Sequence, residues 1–436
     1  MSGLLIAAPA SGAGKTTVTL GLARALSDAG VPLSSGKAGP DYIDPAFHAA
    51  ASRSVCLNYD PWAMRPEHLR ANAAMQAGGG RLLLIEAMMG LFDGAADGSG
   101  SPADLAVILG LPVVLVVDCS RLSQSVAAMV KGYAEFRSDV RVAGVILNKV
   151  GSARHEAMLL DALKGAGLRV FGVLRQDPAL VLPERHLGLV QAGEHEALDG
   201  FIAGAAAAVA RACDLDALAA LAATQAFLPP AAGTGARIAP PGQRIAIARD
   251  RAFAFLYDHL LYGWRATGAE ISFFSPLADE GPDPAADAVY LPGGYPELHG
   301  GTLAGAGNFR HGMTGAVERG VRIYGECGGY MTLGEGLVAA DGTRHAMLGL
   351  LPLVTSFAER RRHLGYRRVT PLAGAGFDRP MSAHEFHYST VIEEGPADRL
   401  FSATDATGAP LGSVGLRRGA VSGSYLHLID LLPEAA

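Results

Sequence analysis

Cysteine is scarce: 436 residues contain four, Cys56, Cys119, Cys213 and Cys327, scattered without a CxxC pair. That spacing argues against a disulfide framework and a thiolate metal site, and it fits a reducing cytoplasm. Aromatics are also few, at 7%, so a core must come from Ala, Val and Leu, of which there is ample supply because half the chain is hydrophobic. An excess of positive charge is missing. The net charge is −6, which argues against nucleic acid as a general partner, since a phosphate backbone needs a basic face. Long uninterrupted apolar runs are lacking too. Leu4 to Ala8 is too short for a signal-peptide core, and the Ala-rich stretch 201–227 is broken by Arg211, Asp214 and Asp216. The expectation is a cytoplasmic chain with no membrane partner, whose length predicts two domains and leaves three open.

What is present begins at Leu4. An apolar run stops at Pro9-Ala10-Ser11-Gly12-Ala13-Gly14-Lys15-Thr16-Thr17, and Val18, Leu22, Ala25 and Leu26 then recur at helical spacing up to Gly30. A strand, a small-residue turn and a helix in that order form a phosphate-binding loop. The free N–H groups of the first helical turn and the helix dipole attract an anion, and Gly12 and Gly14 permit close approach. Lys15 would reach the outer phosphates, and the Thr16 hydroxyl would ligate Mg²⁺. The loop is a variant, because Pro9 stands where the standard pattern has glycine.

Further along, Gly36 to Pro45 is a turn-rich segment carrying Asp41 and Asp44. Arg81 to Ile85 is a short apolar strand ending in Glu86, the expected second holder of Mg²⁺; Pro112 to Val117 ends in Asp118, and Val142 to Leu147 ends in Asn148-Lys149. Strand and helix alternating at these intervals predict a parallel sheet with helices on both faces and its ligands at the carboxyl ends of the strands. From Ala223 to Arg244 the chain becomes rich in Pro, Gly and Ala and reads as a linker. The domains expected are 1–222 and 245–436, both α/β and mostly parallel.

The second domain has its own reactive turn. Val321 to Tyr324 leads into Gly325-Glu326-Cys327-Gly328-Gly329, the G-x-nucleophile-x-G form in which a strand turns sharply into a helix and exposes the central side chain. The helix dipole there favours thiolate. The Gly328 N–H would face an oxyanion, with a second donor from the Gly293-Gly294 turn. Downstream histidines that could serve as base are His345, His363, His384, His387 and His427, of which His427 follows a Gly-rich turn in a short apolar stretch. The run Glu359 to Arg368 clusters guanidinium groups suited to several carboxylates or phosphates, or to a solvated face.

These blocks, in this order and over nearly the whole chain, resemble the cobyrinic acid and hydrogenobyrinic acid a,c-diamide synthases. The blocks are the variant loop, Lys37 to Pro45, Glu86 to Gly94, Leu291 to Glu297, the Cys327 turn and the His427 segment. The resemblance implies an ATP-dependent amidoligase domain, similar to dethiobiotin synthetase and so P-loop NTPase-like, joined to a class I glutamine amidotransferase. It implies that Gly12, Gly14, Lys15, Thr16 and Thr17 bind ATP, with Asn148 near the adenine, and that Thr16, Asp41 or Asp44, and Glu86 hold Mg²⁺. Asp93 would order or bind the corrinoid, Arg361 and Arg362 would clamp its carboxylates, and Cys327 and His427 would be nucleophile and base beside an oxyanion hole of Gly294 and Gly328. Ammonia from glutamine would pass to the first domain. Triad-type glutaminases often carry Glu two residues after the histidine, whereas Ile429 stands there, so a Cys-His dyad is the expectation and the orienting group is open. The metal-free ring is the favoured substrate, and a homodimer is compatible with the sequence. Cobyric acid synthase is the nearest rival. A deviant phosphate-loop ATPase switch is the other, but it would usually carry a second lysine early in the loop and has no use for the Cys327 turn.

Overall fold

The computed structural model describes residues 2–180, 198–224 and 237–433. The chain divides into two compact units, Met1–Gly235 and Ala236–Ala436. Much of the sequence expected to link domains, residues 225–236, lies outside the described residues.

The first unit alternates strand and helix: β1 (Ser2–Ala7), α1 (Lys15–Asp28), β2 (Leu33–Ala38), α2 (Asp44–Ser52), β3 (Cys56–Tyr59), α3 (Pro66–Gln76), β4 (Leu82–Glu86), α4 (Pro102–Leu109), β5 (Val113–Asp118), α5 (Ser125–Glu135), β6 (Val142–Val150), α6 (Ala153–Leu163) and β7 (Arg169–Arg175), then α7 (Leu198–Ala212) and α8 (Leu215–Ala223). Among the described residues its sheet has seven strands in the order β3-β2-β4-β1-β5-β6-β7, every neighbouring pair parallel. The central strands are buried from end to end, as Leu82 to Glu86 shows, which is why they read as continuous apolar runs rather than alternating ones. The Ala-rich stretch is the helix pair α7 and α8, and its small residues serve close packing. A Cβ on Gly21 of α1 would lie 2.7 Å from the Ala205 carbonyl oxygen of α7 and 2.7 Å from Val209. No helix among the described residues is long and apolar enough to cross a membrane.

The second unit runs β8 (Arg244–Ala248), α9 (Asp258–Ala266), β9 (Glu270–Phe274), β10 (Ala288–Leu291), α10 (Gly300–Gly305), α11 (Gly307–Glu318), β11 (Arg322–Glu326), α12 (Gly328–Leu333), β12 (Gly336–Val338), β13 (Arg344–Ala346), β14 (Leu353–Ser356), β15 (His363–Pro371), β16 (Met381–His387), β17 (Thr390–Glu394), β18 (Asp398–Asp405), β19 (Pro410–Arg418), β20 (Val421–Ser424) and β21 (Leu426–Leu431). Its larger sheet among the described residues has the order β21-β16-β15-β18-β19-β20-β11-β10-β8-β9. The half from β20 to β9, which carries Cys327, is parallel. The half from β21 to β19 is a set of antiparallel pairs. A small sheet, β13-β12-β14-β17, lies apart. The α/β organisation in two units is therefore as the sequence implies, but the second sheet is not mostly parallel as expected: the strands after β14 return by antiparallel pairing, and this half brings β16 and β21 together, where His384 pairs in register with His427.

The tight crossing of α1 and α7 makes a stability prediction. Gly21→Val overpacks it and costs about 1–3 kcal/mol, lowering the thermal unfolding temperature of the full chain by about 2–4 °C for each kcal/mol. An unchanged transition would show that the crossing has room to spare.

Candidate active site

In the first unit the reactive side chains gather at the carboxyl ends of the strands. Gly14 takes the left-handed conformation (φ +85°) that opens α1, and a Cβ there would strike the Asn148 amide, so glycine is required twice over. The ends of β5 and β6 clamp the loop. Asn148 Nδ2 donates to the Ala13 carbonyl at 2.9 Å, and Lys149 Nζ donates to the Gly12 carbonyl at 2.8 Å and to Asp118 Oδ2 at 2.7 Å. Pro9, the departure from the standard loop, is held through its carbonyl, which accepts from the Tyr133 hydroxyl at 2.8 Å. Lys15 Nζ donates to the Met89 carbonyl at 2.7 Å, and burial keeps its ammonium below the usual lysine range, with Glu86 opposing. Asp93 is exposed and braces that same loop by accepting from the Gly90 N–H at 2.8 Å. Thr17 donates to the Leu180 carbonyl at 3.1 Å, and with Gly14, Val18 and Asn148 it borders a cavity of about 340 Å³ beside the loop.

Glu86 is the hub of this unit. It accepts from the Thr16 hydroxyl at 2.8 Å, lies 3.1 Å from Lys37 Nζ and 2.6 Å from His48 Nε2, and is 1% exposed. Burial pushes its carboxyl up, but Lys37 and then His48 outweigh burial and hold it below the usual range. Lys37 also meets Asp44 at 2.5 Å. Of the four residues expected at a metal, Thr16, Asp44 and Glu86 come together, and ligand atoms of Asp44, His48 and Glu86 lie within 4.8 Å of one another. Asp41 instead uses Oδ1 to accept from the N–H groups of Ile43 and Asp44, at 2.8 and 3.0 Å, which ties down the turn leading into α2. Its carboxyl is pushed up to about 6 by burial and then by Asp44. Sequence reasoning passed over His48, although its spacing of four from Asp44 places both on one helix face. It also gave Lys37 and Lys149 no role of their own, because their partners come from other strands.

In the second unit β11 runs buried to Cys327, which turns the chain with φ +49° and ψ −106° into α12. The neighbouring glycines are sterically required. A Cβ on Gly325 would lie 2.7 Å from Leu333, and one on Gly329 would overlap the Leu291 carbonyl. Burial and then Glu297 push the Cys327 thiol far up, and its Sγ lies 3.7 Å from the Phe386 carbonyl oxygen. His427 is fully buried on β21, and burial with His384 and His387 takes it down to about 3. Gly293 marks the space between the two. A Cβ there would sit 3.2 Å from Cys327 Cβ and 3.1 Å from His427 Nε2. A Cβ on Gly328 would lie 2.9 Å from the Gly294 nitrogen, so the backbones of Gly294 and Gly328 adjoin beside the cysteine. At resting pH this is a neutral thiol beside a neutral imidazole.

The arginine run divides. Arg360, Arg361 and Arg362 are exposed ahead of β15, whereas Arg367 grips Glu385 at 2.7 Å and Arg368 donates to the Ala406 carbonyl at 3.0 Å. A uniform cluster is thus split, because the later arginines enter a paired strand.

Gly293→Ala places a methyl group against His427 Cε1 and 3.2 Å from Cys327 Cβ, so the two side chains must shift apart. The expected outcome is a loss of about 10²-fold or more in glutamine hydrolysis, measured as glutamate release. Retained hydrolysis would show that the two side chains do not meet there.

Two family models match the chain: a CobQ/CobB/MinD/ParA nucleotide binding domain over residues 4–190 and a CobB/CobQ-like glutamine amidotransferase domain over residues 244–433. Among relatives, the hydrogenobyrinate a,c-diamide synthase of Sinorhizobium sp is 72% identical, covering 100% of both chains. That of Rhizobium meliloti (strain 1021) is 67% identical over 99% of each, and that of Rhodobacter capsulatus is 51% identical over 98% of each. With such identity along its whole length, and with a nucleotide-binding and a glutaminase domain in the same order, the chain belongs to the hydrogenobyrinate a,c-diamide synthase family.

Proposed function

We propose that this chain is a glutamine-hydrolysing carbon–nitrogen ligase. It amidates the a and c side-chain carboxylates of hydrogenobyrinic acid at the expense of ATP, a step of cobalamin biosynthesis in the cytoplasm. The observation that carries the reading is the pairing, in one chain, of a phosphate loop wired to Glu86 with a buried Cys327 and His427 flanking Gly293. Full-length identity to synthases named for the metal-free ring favours that substrate over the cobalt form, and favours this reading over cobyric acid synthase or an ATPase switch.

A carboxylate is a poor acyl donor, so the first unit transfers the γ-phosphoryl group of ATP to it. The loop amides and Lys15 hold the phosphates, and Lys15 leaves the Met89 carbonyl to do so. Gly12, Gly14 and Thr17 shape the nucleotide site, with Asn148 beside the cavity that suits the base. Thr16, Asp44 and Glu86 offer the hard oxygen donors that Mg²⁺ prefers, and the ion, when bound, neutralises charge on the phosphate oxygens. Asp41 supports that site by fixing the turn ahead of α2, on which Asp44 sits. Asp93 braces the Met89 loop next to the activated carboxylate.

In the second unit His427 takes the Cys327 thiol proton, and the thiolate attacks the glutamine side-chain amide. The backbone N–H groups of Gly294 and Gly328 receive the oxyanion. His427 then protonates the leaving ammonia, and water hydrolyses the thioester to glutamate. Ammonia displaces phosphate from the acyl phosphate and completes the amide.

The test is mass spectrometry of hydrogenobyrinic and cobyrinic acids after incubation with ATP, Mg²⁺ and either glutamine or ammonium. Wild type adds two amides with glutamine, whereas Cys327→Ala does so only with ammonium. Absence of amidation on either ring with either nitrogen source would overturn the reading. A second test concerns the exposed arginines. Replacing Arg361 and Arg362 together with Ala raises the KM for the polycarboxylate ring severalfold; a change confined to the KM for glutamine reassigns them to the glutaminase.

A further inference from the structure

Position 429, where a carboxylate would orient the histidine, holds isoleucine. On β21 Ile429 offers His427 no charge, and its carbonyl lies 2.9 Å from His259 Nε2. A carboxylate reaches His427 from a different strand. Glu326 is the last residue of β11, immediately before Cys327, and is 2% exposed. Its Oε2 lies 3.8 Å from His427 Nδ1 and accepts from the Tyr290 hydroxyl at 2.7 Å, while Oε1 accepts from the Leu428 N–H at 3.1 Å. His427 therefore turns its Cε1–Nε2 edge toward Gly293, which also adjoins Cys327, and Nδ1 toward Glu326. The same carboxylate holds the backbone of the residue that follows the histidine.

We propose that Glu326 is the positioning residue of the glutaminase, fixing the His427 ring from its Nδ1 side and opposing the charge of the imidazolium that forms when Cys327 loses its proton. The inference rests on the assignment of Cys327 and His427 made above. In the step concerned, the S–H bond breaks and its proton goes to Nε2, the thiolate electron pair forms the C–S bond, and the same proton later leaves on ammonia. Glu326 gains no proton in the cycle and touches no substrate.

The surroundings explain why a buried negative charge is needed. Burial disfavours both the imidazolium and the thiolate, and the positive forms of His384 and His387 would oppose the imidazolium further. Glu385 also acts on His427, but it is engaged by Arg367 at 2.7 Å and by His387 at 2.9 Å. Tyr257 closes the ring side of His427, with centroids 6.3 Å apart. Glu326 itself is taken up to about 7 by burial, against the hydrogen bonds from Tyr290, Leu428 and Tyr324 that favour its charged form. Its carboxylate is therefore present above that pH and lost as pH falls through it.

The test is Glu326→Gln in the full chain, which keeps the volume and an acceptor for Leu428 but removes the charge. The expected result is a fall of about 10²-fold in kcat for glutamine hydrolysis, with KM for glutamine changed by no more than about twofold. Glu326→Asp recovers part of the loss. Wild-type activity falls as pH drops through about 7, and the variant lacks that limb. Alkylation of Cys327 by iodoacetamide, which needs a folded glutaminase but no turnover, still proceeds in Glu326→Gln and does not move to higher pH, because the Glu326 carboxylate itself opposes the thiolate. Wild-type kcat or a defect confined to KM would each overturn the role of Glu326 while leaving the dyad intact, provided Cys327→Ala is inert. Glutamine hydrolysis by Cys327→Ala would overturn the nucleophile assignment and this inference with it.

Discussion

Both reactive loops place a residue of positive φ at the helix entrance: Gly14 ends a loop after β1 that also holds Gly12 at positive φ, and Cys327 alone joins β11 to α12. At Gly14 the turn is cheap, because glycine has no Cβ to collide. At Cys327 a side chain is needed for chemistry, and the unusual backbone there costs about 1–3 kcal/mol. The surroundings offset this by removing side chains nearby, at Gly325, Gly328, Gly329 and Gly293, each of which leaves no room for a Cβ without a clash or a shift. What the geometry yields is a helix that opens at Gly14 in the first unit and at Cys327 in the second.

The two units handle buried charge in opposite ways. Around Glu86 the carboxylate is kept ionised by contact with Lys37 and His48, and Asp44 in turn holds Lys37, so a network of paired charges stands ready before nucleotide arrives. This suits phosphoryl transfer, which asks for fixed charges and little movement of protons. Around Cys327 burial suppresses charge on both its thiol and the His427 imidazole. That suits a reaction begun by proton transfer between them, in which charge appears only with substrate present.

Strand alternation sorts the remaining polar residues. The basic run from Arg360 to Arg368 looks uniform in one dimension, yet pairing of β15 with β16 turns Arg367 inward onto Glu385 and leaves Arg360 to Arg362 in solvent ahead of the strand. The antiparallel half of the second sheet has a further consequence. By laying β21 beside β16, it brings His427 to the strand opposite His384, with Glu385 and His387 following, and so builds the electrostatic setting of the base from residues far apart in sequence.

The α/β organisation in two units, the Gly-rich turn from β1 into α1, the carboxylate at the end of β4 and the cysteine turn were all legible in the chain itself. Each rests on local rules: continuous apolar runs for buried parallel strands, helical periodicity after a Gly-rich turn, and glycines flanking a nucleophile. Contacts that join residues far apart were not legible. Lys149 onto Gly12, Lys37 between Asp44 and Glu86, Gly293 beside Cys327 and His427, and Glu326 facing His427 depend on which strands become neighbours and in what register. Local sequence determined where the chain turns and which side chains it exposes there. Only tertiary structure decided which charges meet, because a buried charge is governed by the partners that sheet order places within a few ångströms of it.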